Sequence, residues 1–226
     1  MDGLFNQWNK EHARVKDGTT PSAYAIEVEK LFPRQSIICD LGGGQGRDSV
    51  YFAQHGHTVN LLDISDLALN NAQKTVNSLN LKNKIIIKQI NLVTDNLPLE
   101  NNSIDILYSR LALHYFNLKR TQQILEEVYR VLKPNGKAFL TIKSPEDKNE
   151  MSYLNNTSTK LEEFVYLDEG IPKSRYPKKM WEEMLKKANV GNFIISSYEE
   201  NFDNRTDLPK SGNEKLSVYQ IIINKS

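Results

Sequence analysis

Cysteine is nearly absent: Cys39 is the only one among 226 residues, so no disulfide can form within the chain. A lone thiol in the apolar run Ile37-Ile38-Cys39 is expected to act as a small buried hydrophobe. Long apolar runs are also missing. None approaches the ~20 residues that span a bilayer, and no signal peptide opens the chain, which points to the cytoplasm. Neither sign of charge dominates. Lys and Arg number 29 against 28 Asp and Glu, a net charge of +1, and both signs mix throughout, which is no footprint for nucleic acid. Metal-ligand spacing is lacking as well, since His55 and His57 have no Cys, Asp or Glu placed beside them, and no metal site is expected. Asn101, Asn155, Asn156 and Asn204 open Asn-x-Ser/Thr triplets, read as chance in an asparagine-rich chain without a secretion signal.

What the chain does contain is concentrated in Ile37-Ile38-Cys39-Asp40-Leu41-Gly42-Gly43-Gly44-Gln45-Gly46-Arg47. An apolar strand stops at an acidic residue, glycines follow at 42, 43, 44 and 46, and a helix begins at Arg47. Strand, glycine turn and helix open a nucleotide-binding α/β fold. The dinucleotide fingerprint would need its third glycine at position 47, where this chain has arginine. Asp40 would repel a pyrophosphate at close range and suits a cationic ligand group. The second strand, Thr58 to Leu62, ends in Asp63, 17 residues after Gly46. A carboxylate at that tip can accept hydrogen bonds from both hydroxyls of a ribose. A ribonucleoside with a positively charged amino-acid arm and no phosphates is S-adenosylmethionine.

Over residues 36 to 143 the chain resembles the class I S-adenosylmethionine-dependent methyltransferases. Four stretches in order carry the resemblance: Asp40 to Gly46, Leu62-Asp63-Ile64-Ser65, Ile104 to Ser109, and Val131 to Lys137. It implies an α/β fold, a Rossmann-like doubly wound sheet of seven strands, mostly parallel with an antiparallel C-terminal strand, in the order 3-2-1-4-5-7-6. It also implies that Asp40, Gly42, Gly43, Gly44, Gly46, Asp63 and Ile64 hold the cofactor. Asn91 and Leu92 would flank the adenine, and Ser109 and Arg110 would meet its methionine end. Two positions depart from the usual pattern. Gly43 replaces a cysteine or larger residue, and Asn91 replaces an aspartate, so the adenine contact loses its charge. The run Gly46 to Ala53 is similar to small bacterial members of the thiopurine and tellurite-resistance kind.

The rest of the chain is read as a single methyltransferase domain over 1–226 in four parts. Residues 1–35 form a helical cap, with Leu4, Phe5, Trp8 and Val15 on one face, followed by a helix from Thr20-Pro21 to Phe32. Residues 36–143 form the cofactor-binding core. The polar segment 144–176 is expected to be a substrate lid or a plain loop, with Met151, Tyr153, Leu154, Phe164 and Tyr166 as apolar contacts. Residues 177–226 supply a helix and an antiparallel strand pair joined by a long polar loop. No general base announces itself. His114 could take a proton from an acceptor, with Tyr115 beside it, or could be a packed histidine with one backbone hydrogen bond. The expected reaction is in-line methyl transfer to a small-molecule acceptor, because the chain is short and near neutral. RNA or protein methylation, and non-catalytic cofactor binding in a regulatory role, are the alternatives.

Overall fold

The structure, a computed structural model, describes residues 2–14, 19–201 and 215–226. Apolar runs form β1 (Ile37–Leu41), β2 (Thr58–Asp63), β3 (Ile85–Gln89), β4 (Ile104–Arg110) and β5 (Leu132–Lys143), all parallel. β9 (Asn192–Asn201) and β10 (Lys215–Asn224) complete the sheet in the order β3-β2-β1-β4-β5-β10-β9, with β10 antiparallel to both neighbours. This is the order expected from the sequence, with the last two strands numbered nine and ten. The three strands that intervene, β6 (Thr159–Glu162), β7 (Val165–Asp168) and β8 (Ile171–Ser174), form a separate antiparallel sheet.

The central strands are covered on both faces and are therefore mainly apolar, whereas β3 at the sheet edge leaves Ile86 exposed. Alternate residues divide between two cores: Leu107 and Leu140 belong to one, Ile106, Tyr108 and Phe139 to the other. α5 (Leu118–Val131) and α7 (Lys178–Lys187) bring Ile124, Leu125, Val128, Trp181 and Leu185 to the first. α2 (Ala23–Glu29), α3 (Arg47–Gln54) and α4 (Asp66–Ser78) bring Tyr24, Val28, Phe52, Ala72 and Val76 to the second.

Three boundaries differ from expectation. α2 starts at Ala23 under the cap of Ser22, not at Thr20, and ends at Glu29. Ser22 wins because Asp48 takes both its N–H (2.7 Å) and its hydroxyl proton (2.8 Å), while its Oγ accepts from the Ala25 N–H at 3.0 Å. β4 runs on to Arg110, so Ser109 and Arg110 pair with Leu140 and Thr141 instead of following the strand. Segment 144–176 is regular: α6 (Lys148–Thr157) and the small sheet carry a buried ion cluster in which Arg175 grips Glu150 through two contacts of 2.9 Å. Lys143 at the end of β5 pairs with the same carboxylate. Val15, the side chain of Leu4, Asn204 and the polar loop over 202–214 lie outside the described residues.

Candidate functional site

The glycine loop lies at the carboxyl ends of β1, β2 and β4, where open α/β sheets place ligands. Gly42 has φ +73°, and a Cβ there would sit 2.4 Å from the Ala112 Cβ. Gly44 has φ +57°, and its Cβ would sit 2.8 Å from Cε1 of His12. Both positions therefore demand glycine on two grounds, backbone angle and space. The loop is tied to the next strand. Asp63 accepts the N–H of Gly44 at 2.8 Å and that of Ser65 at 2.9 Å.

The cleft above the loop has two compartments. The larger, about 180 Å³, is mostly apolar, with Asp63, Ile64, Asn91 and Leu92 on one side and Trp8, Tyr115 and Phe116 on the other. The smaller, about 100 Å³, is polar and is lined by Asp40, Gly43, Gly44, Arg47, Asp48 and Arg110, with Tyr108 beside them. Among the described residues, only Gly42 and His12 border both.

The roof is α1 (Asp2–Ala13), a mostly polar helix that the structure fastens to the loops after β1 and β2. Asn9 donates to Asp66 at 2.7 Å and accepts from the Ser65 hydroxyl at 2.6 Å. Gln45 donates to the His12 carbonyl at 3.3 Å. Trp8 meets Tyr115 edge to face, with ring centroids 4.7 Å apart.

The smaller compartment sets Asp40 and Asp48 beside Arg47 and Arg110. Asp40 is fully buried with its pKa pushed up to about 7, by burial first and then by Asp48. The hydroxyl of Ser49, 2.6 Å away, and Arg47 act in the opposite direction. Asp48 is itself committed, accepting from Ser22 and from the Tyr108 hydroxyl at 2.8 Å, with Arg47 Nε 3.6 Å from it. Three carboxylates, of Asp40, Asp48 and Asp63, thus gather around one loop. At Asp40, where burial and Asp48 oppose a negative charge, a ligand group bringing positive charge is favoured.

The residues singled out in the sequence divide by position. Asp40, Gly42, Gly43, Gly44, Asp63, Ile64, Asn91, Leu92 and Arg110 line the cleft, and so does Tyr115. Gly46 lies behind the loop as the N-cap of α3, where a Cβ would meet Leu61 at 2.8 Å. Ser109 is buried and donates to the Leu41 carbonyl at 2.8 Å. His114 lines neither compartment. It is fully buried, its Nδ1 accepts the Lys143 N–H at 3.4 Å, and burial together with Arg175 and Lys143 holds its pKa well below the usual imidazole range. No residue of 144–176 lines either compartment. That segment buttresses the wall from behind, Ser174 donating its N–H to the His114 carbonyl at 2.8 Å. The sequence reading passed over His12, Arg47, Asp48 and Tyr108. His12 follows Trp8 by four residues, one helical turn, and that spacing was the available signal. Among the described residues no cluster of His, Cys, Asp or Glu could hold a metal ion, and no helix is long and apolar enough to cross a membrane.

Residues 39–140 match a family described as a methyltransferase domain. An uncharacterized methyltransferase of Synechocystis sp. is 34% identical over 60% of this chain and 66% of its own length. A ubiquinone/menaquinone biosynthesis C-methyltransferase of Blochmanniella pennsylvanica is 36% identical over 46% of this chain and 41% of its own. The chain spans between 38% and 66% of the length of the first curated relatives it matches. Among solved structures, the 1,6-didemethyltoxoflavin-N1-methyltransferase of Burkholderia thailandensis, with 1,6-didemethyltoxoflavin and S-adenosylhomocysteine bound, shares the fold. It covers 100% of this chain and 88% of its own at a TM-score of 0.69 and 16% identity.

Proposed function

We propose that this chain, which belongs to the class I S-adenosylmethionine-dependent methyltransferase family, transfers a methyl group from S-adenosylmethionine to a small-molecule acceptor. The observation that carries the proposal is the acidic glycine loop: Asp40 buried at the tip of β1 with its charge disfavoured, and Asp63 at the tip of β2. A nucleoside bearing an ammonium group answers both. In this assignment Ile64, Asn91 and Leu92 flank the adenine, Asp63 takes the ribose hydroxyls, and Asp40 faces the ammonium. Arg110, which also pairs with the buried Glu200, lines the same smaller compartment and can meet the carboxylate of that arm.

The bound cofactor supplies a methyl group already activated on a sulfonium. The chain's part is to hold an acceptor in line behind that methyl and to keep water out, and positioning alone can contribute several kcal/mol, of order 7 or more in favourable cases. α1 closes the cleft, and Trp8 with Tyr115 gives it an apolar wall. A roofed cleft of this size suits a small acceptor. The named relatives act on different atoms, one a C-methyltransferase and one an N1-methyltransferase. Calorimetric titration with S-adenosylmethionine, S-adenosylhomocysteine and NAD tests the assignment. Micromolar binding of both sulfur compounds and none of NAD is expected. Binding of NAD alone, or of none of the three, refutes it.

A further inference from the structure

His12 is the side chain that joins the two compartments. The larger takes the nucleoside and the smaller the amino-acid arm in the assignment above, on which this inference rests, so the sulfur that links them belongs at their seam. Among the described residues, only Gly42 and His12 border both sides. Gly42 supplies the floor. His12 supplies the roof, its ring so close over Gly44 that a methyl group there would collide with Cε1. The ring is held in place by its own helix, through Asn9 on Ser65 and Asp66 and through the His12 carbonyl on Gln45.

We infer that His12 takes up the proton an acceptor releases on methylation, and that the acceptor class is one carrying a proton on its reacting oxygen or nitrogen. The atoms balance without another reactant. The acceptor's electron pair forms the bond to the methyl carbon, and the carbon–sulfur bond breaks with its pair left on sulfur. The acceptor's proton then passes to the imidazole. Charge drives the hand-over. A sulfonium beside His12 disfavours a protonated ring, whereas the thioether left after transfer carries no charge, so the ring's proton affinity rises as the acceptor must shed its proton.

Other charged groups face the same ring. Asp40, Arg47, Asp48, Tyr108 and Arg110 line the smaller compartment, Asp63 and Tyr115 the larger, and Glu11 precedes His12 on its own helix. Their titration is separated from that of His12 by comparing two ligands that differ only at sulfur. S-adenosylmethionine and S-adenosylhomocysteine share the ammonium that Asp40 faces and the ribose that Asp63 faces, so those contributions cancel in the ratio of the two affinities, and any action of Asp40 on the sulfonium is read from His12→Gln, which keeps Asp40.

The experiment is calorimetric binding of both compounds to the full chain between about pH 7.5 and about pH 5.5, with His12→Gln and His12→Arg alongside. In the unaltered chain the affinity for S-adenosylmethionine relative to S-adenosylhomocysteine is expected to fall about five-fold on acidification, the scale of repulsion between two neighbouring unit charges in water. His12→Gln removes most of that fall, leaving only what Asp40 contributes. His12→Arg, charged throughout, gives a low ratio at every pH. A pH-invariant ratio in the unaltered chain, or an equal fall in His12→Gln, overturns the inference while leaving the cofactor assignment intact. Failure of both compounds to bind the unaltered chain overturns the assignment and this inference with it.

Discussion

Replacing Asp40 with asparagine should make the protein more stable and its cofactor site worse. The folded carboxyl titrates at about 7 against an ordinary 3.8, because burial and Asp48 both oppose its charge. Between those values the folded chain keeps a proton that the unfolded chain has lost, so stability falls as pH rises through this window. The slope is about 1.4 kcal/mol per pH unit, and the whole effect approaches about 4 kcal/mol above pH 7. Asparagine carries no such charge, yet its amide oxygen can still accept from the Ser49 hydroxyl that bonds Asp40 at 2.6 Å. Urea unfolding of Asp40→Asn and the parent chain from about pH 4 to about pH 8 should therefore give curves that nearly coincide in acid and diverge steadily toward alkaline pH. Subtracting one from the other removes the titration of every other group. Cofactor affinity should run the opposite way, rising with pH through 7 in the parent as the carboxylate forms to meet the ammonium, and staying low and flat in the variant. A stability difference independent of pH would refute the reasoning.

Asp63→Ala should weaken S-adenosylmethionine binding at least ten-fold, since two hydrogen bonds to a charged acceptor are worth about 1.5–3 kcal/mol each; unchanged affinity in calorimetry would sink the ribose assignment. Gly44→Ala places a Cβ 2.8 Å from His12 at a φ of +57°. About 1–2 kcal/mol of backbone strain, a changed Trp8 emission and weaker cofactor binding are expected, and a variant indistinguishable from the parent in all three would show that α1 does not sit on the loop. Glu150→Gln leaves Lys143 and Arg175 buried without their shared counter-charge. It should cost about 3–5 kcal/mol in urea unfolding, and a loss below about 1 kcal/mol would mean the cluster is solvated.

The sheet was legible because its central strands are buried on both faces, so apolar runs alone located β1, β2, β4 and β5 and the spacing of acid and glycine ordered them. Boundaries were less legible where a distant partner decides. Ser22 caps α2 only because Asp48, 26 residues away, anchors it. Ser109 and Arg110 extend β4 because β5 offers Leu140 and Thr141 to pair with. The loop side of the site could be read locally, since Asp40, Gly42 to Gly44 and Asp63 belong to two contiguous motifs. The roof could not. α1 is too polar for its packing face to stand out, and what orients it is a handful of polar contacts to Gln45, Ser65 and Asp66. His114 drew notice as a histidine near a strand tip. Its burial depends on the 144–176 segment folding behind it, and no local pattern announces that.

The roof has a kinetic consequence. Among the described residues, the contacts that hold α1 down include three hydrogen bonds made by Asn9 and Gln45 and one aromatic edge contact, none of them to the seven-stranded sheet's own strands. At about 0.5–1.5 kcal/mol net for each such bond and a similar amount for the ring pair, these contacts alone make opening cost roughly 2–6 kcal/mol or more. Only about one molecule in thirty to one in twenty thousand is then open at any moment, and the rate of ligand entry is scaled down by that fraction. Spent cofactor leaves through the same door. Longer residence of ligands is therefore the expected companion of a tighter α1, and loosening Asn9 or Gln45 should speed both entry and release.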